Sequence, residues 1–331
     1  MALWLFSSAS IFAQDIHFTQ FQGTSLNLNP ALAGATECDQ CFTGQFKRQW
    51  AAPPVDYRTF SGTYDRKFTP RKENPKGWFG GGLLFDYDIA GDSRLSGLHL
   101  GVIGSYIRKL NKRNFLSGAL QLAGTQRSFD LDDLEFDDQW APYKAAIGTT
   151  SLEAFDDVTV RYASLSTGIN WAYAVPRSRL RFNVGVGAHH LNRPNKSYKN
   201  DVNVKHDRRF AFYGMGTIPI AKKLDVLVQA LRQVQGPHGE TVFGGYLRGH
   251  LNKRPTHETS IQIGAIYRVG DAIAPAIGML WKQWEVGYAY DLNFSDFEVA
   301  TNGRGGPEIY VKYCIKPPPA VTPCPLCPRR I

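Results

Sequence analysis

Four of the five cysteines stand in two pairs, Cys38-Asp-Gln-Cys41 and Cys324-Pro-Leu-Cys327, with Cys314 just before the second pair. A Cys-x-x-Cys spacing serves thiol redox centres, disulfide frameworks and tetrahedral zinc sites alike. Neither pair opens a helix inside a βαβ unit, so a thioredoxin-like activity is set aside. Two readings stay open. The preferred one is structural disulfides in an oxidising compartment; the other is a metal site in which Cys38, Cys41, Cys324 and Cys327 hold one zinc ion.

The remaining chemistry-bearing residues are sparser. His189-His190, His206 and His250 have no nucleophile at a recognisable spacing, and the chain has no Gly-x-Ser-x-Gly elbow, no His-Glu-x-x-His and no phosphate loop. The expectation is a non-enzymatic protein without catalytic residues or a cofactor. Between Phe129 and Val158 runs an acidic stretch with Asp130, Asp132, Asp133, Glu135, Asp137 and Asp138 at its start. Its spacing lacks the glycine turn and terminal Glu of an EF-hand loop. It reads either as a partner-binding loop or as a solvated surface loop. The net charge of +9 comes from Lys and Arg scattered over short segments, with no dense basic block interleaved with aromatics, which argues against a nucleic-acid partner.

What must position these residues is a pattern that recurs along the chain. In Arg179–His189, Leu180, Phe182, Val184, Val186 and Ala188 occupy one parity and Arg179, Arg181, Asn183, Gly185, Gly187 and His189 the other. Strand side chains alternate between faces with a period of two, so the segment has one oily face and one polar face. Arg161–Tyr173, Glu258–Arg268 and Trp284–Asp291 repeat it, and about fourteen such segments follow from Cys41 onward. Beyond the amino terminus no run of 18 apolar residues exists, which excludes helical spans. Strands of about 9–11 residues with one polar face can still cross a membrane when closed into a barrel.

The connections add a second argument. Short, mostly basic ones at 72–76, 110–114, 176–179, 221–223 and 252–255 alternate with longer, more acidic ones at 50–57, 86–94, 129–158, 189–207 and 293–305. Short periplasmic turns opposite longer external loops are the asymmetry of an outer-membrane barrel. Trp78, Trp171, Trp281, Trp284 and Tyr288 stand where an aromatic belt would sit. The predicted fold is therefore an all-β, transmembrane antiparallel β-barrel of about fourteen strands.

Four regions follow. Residues 1–13 read as the apolar part of a secretory signal, with cleavage between Ala13 and Gln14. Residues 14–40, rich in Asn, Gln and Phe and without strand alternation, are expected to plug the lumen or cap its periplasmic mouth. Residues 41–316 form the barrel. Residues 317–331 are too rich in proline for strand or helix and read as an extended periplasmic tail.

The segments Gln14-Asp-Ile-His-Phe-Thr-Gln-Phe21 and Leu26-Asn-Leu-Asn-Pro-Ala-Leu-Ala-Gly34 resemble the PorP/SprF family. The likeness continues through Arg48-Gln49-Trp50, Phe60-Ser-Gly-Thr-Tyr-Asp65 and Gly81–Gly91, and closes with Asp271–Pro275, Gly287–Ser295 and Gly305-Gly-Pro-Glu-Ile309. The resemblance implies an integral barrel of the cell outer membrane, embedded in its lipid and acting in type IX secretion and the associated gliding motility. It also implies partnership with secretion components and with a large secreted adhesin-like protein that the barrel helps export or attach to the cell surface. A general or substrate-specific outer-membrane porin is the other function a barrel of this size could serve.

Overall fold

The computed structural model describes residues 15–49, 57–69, 76–91, 94–130, 158–199, 201–252, 258–294 and 303–316, and the backbone of 140–141 and 144–145. The signal reading of 1–13, the proline-rich tail 317–331 with Cys324 and Cys327, and Asp132, Asp133, Glu135, Asp137 and Asp138 lie outside the described residues.

Fourteen strands make one closed antiparallel barrel. In chain order they are β1 (Gln40–Gln49), β2 (Tyr57–Phe68), β3 (Gly77–Ala90), β4 (Leu95–Lys109), β5 (Asn114–Ser128), β6 (Thr159–Ala174) and β7 (Arg181–His189). Then come β8 (Arg209–Ala221), β9 (Leu224–Gln235), β10 (His238–Asn252), β11 (Thr259–Arg268), β12 (Ala272–Trp281), β13 (Trp284–Asn293) and β14 (Arg304–Ile315). Each strand pairs with its sequence neighbours, and β1 closes on β14 in a register running from Gln40↔Ile315 to Lys47↔Glu308. Closure leaves no unpaired edge, which satisfies the backbone hydrogen bonds of a sheet surrounded by hydrocarbon. No helix among the described residues is long and apolar enough to cross a membrane.

The period-two pattern sorts as the sequence dictates. On β11, Ile261, Ile263 and Tyr267 are exposed on the outer wall while Ser260, Gln262 and Arg268 are buried. On β6, Leu165, Ile169 and Trp171 point outward, against buried Ser164, Ser166 and Asn170. Two corrections apply to the connections. The expected loop 86–94 is mostly strand, because β3 continues to Ala90, and the connection shrinks to Gly91–Arg94. On that same rim, β9 to β10 and β11 to β12 turn within two or three residues, through Gly236 (φ +55°) and Gly270 (φ +75°). Left-handed backbone of this kind suits tight hairpins and comes without strain at glycine.

Aromatic rings gather on the outer wall at the rim that carries β1's start and β14's end. Phe42–Tyr64, Phe79–Tyr106 and Trp284–Tyr313 pair with centroids 4.7, 5.0 and 4.6 Å apart. Trp171, Trp281 and Trp284 belong to this outward set. Trp78 does not: it faces inward, where its Nε1–H donates to the Gly34 carbonyl at 2.9 Å.

Candidate functional site

The site is the contact between the barrel's inner wall and residues 15–34, which run inside it. A short helix, Ser25–Leu28, and a 3₁₀ turn, Pro30–Leu32, shape this segment. Asn29 joins them: its Oδ1 accepts the Ala31 N–H at 2.8 Å and Pro30 follows at the first helical position, where its missing N–H costs nothing. Phe21, Leu26, Leu28, Ala31, Leu32 and Ala33 are buried against wall residues such as Ile103, Tyr213, Leu231, Val242, Tyr246 and Ile266. The inward face of the strands, which their polar alternation marks as unsuited to a dry core, therefore contributes to one. Alanines, valines and isoleucines are interspersed with its polar residues, and the segment supplies the missing apolar partners.

Glycines on the wall admit the segment. A Cβ at Gly187 would overlap the Leu28 carbonyl, and one at Gly168 would overlap Asn29 Oδ1. These are close-approach positions in which only a bare backbone fits.

Polar anchors then fix the seat. At its middle, Asn29 Nδ2 donates to the Ile169 carbonyl and the Tyr213 hydroxyl, both at 3.0 Å, and Tyr213 in turn donates to Asn170 Oδ1 at 2.9 Å. The Ser117 and Ser105 hydroxyls donate to the Ala31 and Ala33 carbonyls at 2.7 and 2.6 Å. Asn27 Nδ2 donates to Ser61 and Asp86, each at 2.9 Å.

A knot of charged residues holds Thr19 and Gln20. Their N–H groups donate to the two carboxylate oxygens of Glu308 at 2.8 and 2.6 Å. Lys47 Nζ lies 3.4 Å from Asp291 and 3.8 Å from Glu308, and Arg268 lies 2.9 Å from Asp291 and 3.1 Å from Glu240. Thr19 Oγ1 sits among them, donating to Asp291 at 2.9 Å and accepting from Arg268. Lys47, Asp291, Glu308 and Arg268 are all buried. Buried charges are tolerated when paired and fully hydrogen-bonded, and breaking one partner strands the other.

A second cluster holds Asp15. His190 Nε2 lies 2.8 Å from Oδ2, His206 Nε2 lies 3.3 Å from Oδ1 and Arg209 Nε lies 3.3 Å from Oδ2. Burial pushes the Asp15 carboxyl up, but His190, His206 and Arg209 outweigh it and hold the group well below the usual carboxylate range. Nearby His17 is driven down to about 4 by burial. Between this cluster and strands β3 to β6 lies a cavity of about 80 Å³, lined by Asp86, Asp88, His99, Arg127 and Tyr162 among others.

The cysteines divide differently from their spacing. Cys41 is bonded to Cys314 across the β1–β14 seam, where the two residues are direct ladder partners. Cys38 is a buried thiol, and burial pushes its pKa up. With Cys41 oxidised, the described part of a four-cysteine zinc site has only Cys38 to offer as thiolate. Asp130, the described member of the acidic set, lies two residues beyond the end of β5. His250 pairs with Asp225 at 2.6 Å near the opposite rim and takes no part in the Asp15 cluster. Sequence spacing shows neither anchor of the segment, since Asp15 meets His190 across 175 positions and Thr19 meets Glu308 across 289. The one available signal is a charge on the inward parity of a strand, as at Lys47, Arg268, Asp291 and Glu308.

No curated protein matches the sequence. Among solved structures, the Ralstonia pickettii toluene transporter TbuX superposes with a TM-score of 0.52 at 12% identity, over 88% of this chain and 94% of that one. A mutant of the monoaromatic hydrocarbon channel TodX gives 0.51 at 8% identity, over 89% and 94%. At such identities the likeness concerns the barrel fold alone. The family described as type IX secretion system membrane protein PorP/SprF matches residues 10–313, nearly the entire chain. A closed membrane barrel matching that family over almost its full length belongs to it: this chain is a member of the PorP/SprF family of type IX secretion system membrane proteins.

Proposed function

We propose that this protein is a plugged, non-enzymatic outer-membrane component of type IX secretion that helps export a large secreted adhesin-like partner or attach it at the cell surface. The observation that carries the reading is the lumen: residues 15–34 fill it with apolar contacts and hydrogen bonds to strands all round the wall. Such a filling suits a holding or docking role better than free diffusion through a pore. In this reading the start of β1 and the end of β14 lie on the periplasmic side, the rim with Gly91–Arg94 and the long 129–158 connection faces outward, and the acidic residues from Asp130 to Asp138 engage the partner. Cleavage of a signal at Ala13 is part of the same proposal.

The test is affinity recovery of the tagged barrel from native outer membrane, with identification of what accompanies it. A secreted adhesin-like protein together with secretion components is the expected result, and recovery of neither overturns the proposal. Single-channel recording in a planar bilayer separates the porin alternative. The intact chain is expected to give little current and a chain lacking residues 15–34 a large one; a large steady current from the intact chain favours the porin.

A further inference from the structure

We propose that Asp15, His190 and His206 form a binding site for a borderline divalent cation of the zinc class, which clasps the start of the luminal segment to the loop between β7 and β8. The three donor atoms lie within 4.8 Å of one another, and both imidazoles are buried. Two imidazole nitrogens and one carboxylate are donors of the kind that select zinc, copper or nickel over magnesium or calcium.

The hydrogen bonding favours a cation at this point. His206 Nδ1 lies 3.2 Å from the Asp207 carbonyl and 3.5 Å from Gln235 Nε2; the nearer group can only accept, which favours the proton on Nδ1. In that tautomer its Nε2 lone pair faces the Asp15 carboxylate across 3.3 Å, a pair of donor atoms that a cation bridges. A backbone carbonyl holding the far nitrogen is also the usual support for a metal-bound imidazole. Protonating both rings instead would stack two cations, since the His190 and His206 centroids are 4.0 Å apart at 18°, with the Arg209 guanidinium against the same carboxylate. His190 Nδ1, buried and without a hydrogen-bond partner among the described residues, marks a second ring whose polar atoms are incompletely satisfied.

Three protein ligands leave a fourth position for water, and the adjoining cavity supplies the room. Asp86 and Asp88 line that cavity and offset the added positive charge beside Arg209. On binding, the two rings rotate from their near-parallel stack until both Nε2 atoms converge on the ion. Asp15 comes from the luminal segment while His190 and His206 flank the 191–205 connection, so the ion would link the plug to an external loop.

The experiment uses the full chain, folded in detergent micelles, with Cys324→Ser and Cys327→Ser so that tail thiolates do not compete. Zn²⁺ alone is titrated calorimetrically, and Co²⁺ is added to a second sample for its visible absorption. One equivalent bound, with affinity reduced by more than about tenfold in each of Asp15→Asn, His190→Gln and His206→Gln, is the expected result. His250→Gln, at the far rim, is expected to bind as the parent does. Heat-modified gel mobility checks that each variant keeps its barrel. Absence of binding in the folded parent overturns the proposal, as does binding that survives His190→Gln together with His206→Gln.

Discussion

The luminal segment is fastened twice within six residues, and the two fastenings use different chemistry. Thr19 and Gln20 are held by Lys47, Arg268, Asp291 and Glu308, which are buried on strands β1, β11, β13 and β14. Asp15 is held by His190 and His206, which stand at the loop ends of β7 and β8, and by Arg209. The first knot is positioned by strand register, and its cross-linked ion pairs hold it fixed. The second depends on what sits between imidazole and carboxylate, so it is conditional. A plug built this way has one permanent anchor and one that can respond to its surroundings.

Removing Arg268 attacks the permanent anchor most directly. Arg268→Met leaves part-buried Glu240 without its cation and buried Asp291 with Lys47 alone, and is expected to cost about 3–5 kcal/mol, read as a lower urea midpoint for the detergent-folded barrel. His190→Gln should move that midpoint far less; an equal loss would erase the distinction between the anchors.

A control touches the wall and neither anchor. Changing Cys41 and Cys314 together to Ser removes a bridge spanning 273 positions and is expected to cost about 2–4 kcal/mol. Because the β1–β14 ladder persists, conductance should stay at the parent level; a rise in current would show that the bridge also holds the plug.

The seat itself can be spoiled without touching charge. Gly187→Val pushes a side chain into the Leu28 carbonyl and the Asn29 backbone, with an expected cost of about 1–3 kcal/mol. Faster proteolysis within residues 15–34 is the readout, and unchanged cleavage would mean that the segment simply shifts aside.

The smallest effect is a pH dependence. His17 titrates near 4 in the folded protein against an ordinary value of 6.5, so the folded state favours the neutral ring. The unfolded chain then binds more protons between those values. The stabilisation is complete above about 6.5 and is lost as pH falls toward 4. The amide protection factors of residues 15–20, with the intrinsic pH dependence of exchange divided out, should fall from pH 7 to pH 5, and His17→Gln should flatten that dependence.

Much of the wall was legible in advance. Ile261, Ile263 and Tyr267 against Ser260, Gln262 and Arg268 name the two faces of β11 by parity alone, and the strand count follows from repeating that test. The end of β3 was not legible, because Asp86 and Asp88 look like loop residues until the plug offers Asp86 the Asn27 amide and β2 offers Asp88 the Thr59 hydroxyl. Trp78 looks like an outer-belt residue for a similar reason: its indole N–H finds a partner only when Gly34 lies inside the barrel.

By itself the sequence determined the barrel, its alternating faces and the absence of strand pattern in residues 14–40, since all of these are local consequences of side-chain period and backbone preference. Only the tertiary structure decided which residues meet in the lumen. Closing fourteen strands brings Thr19 to Glu308, Asp15 to His190 and Cys41 to Cys314, and such meetings depend on register and ring closure, which no short window of sequence contains.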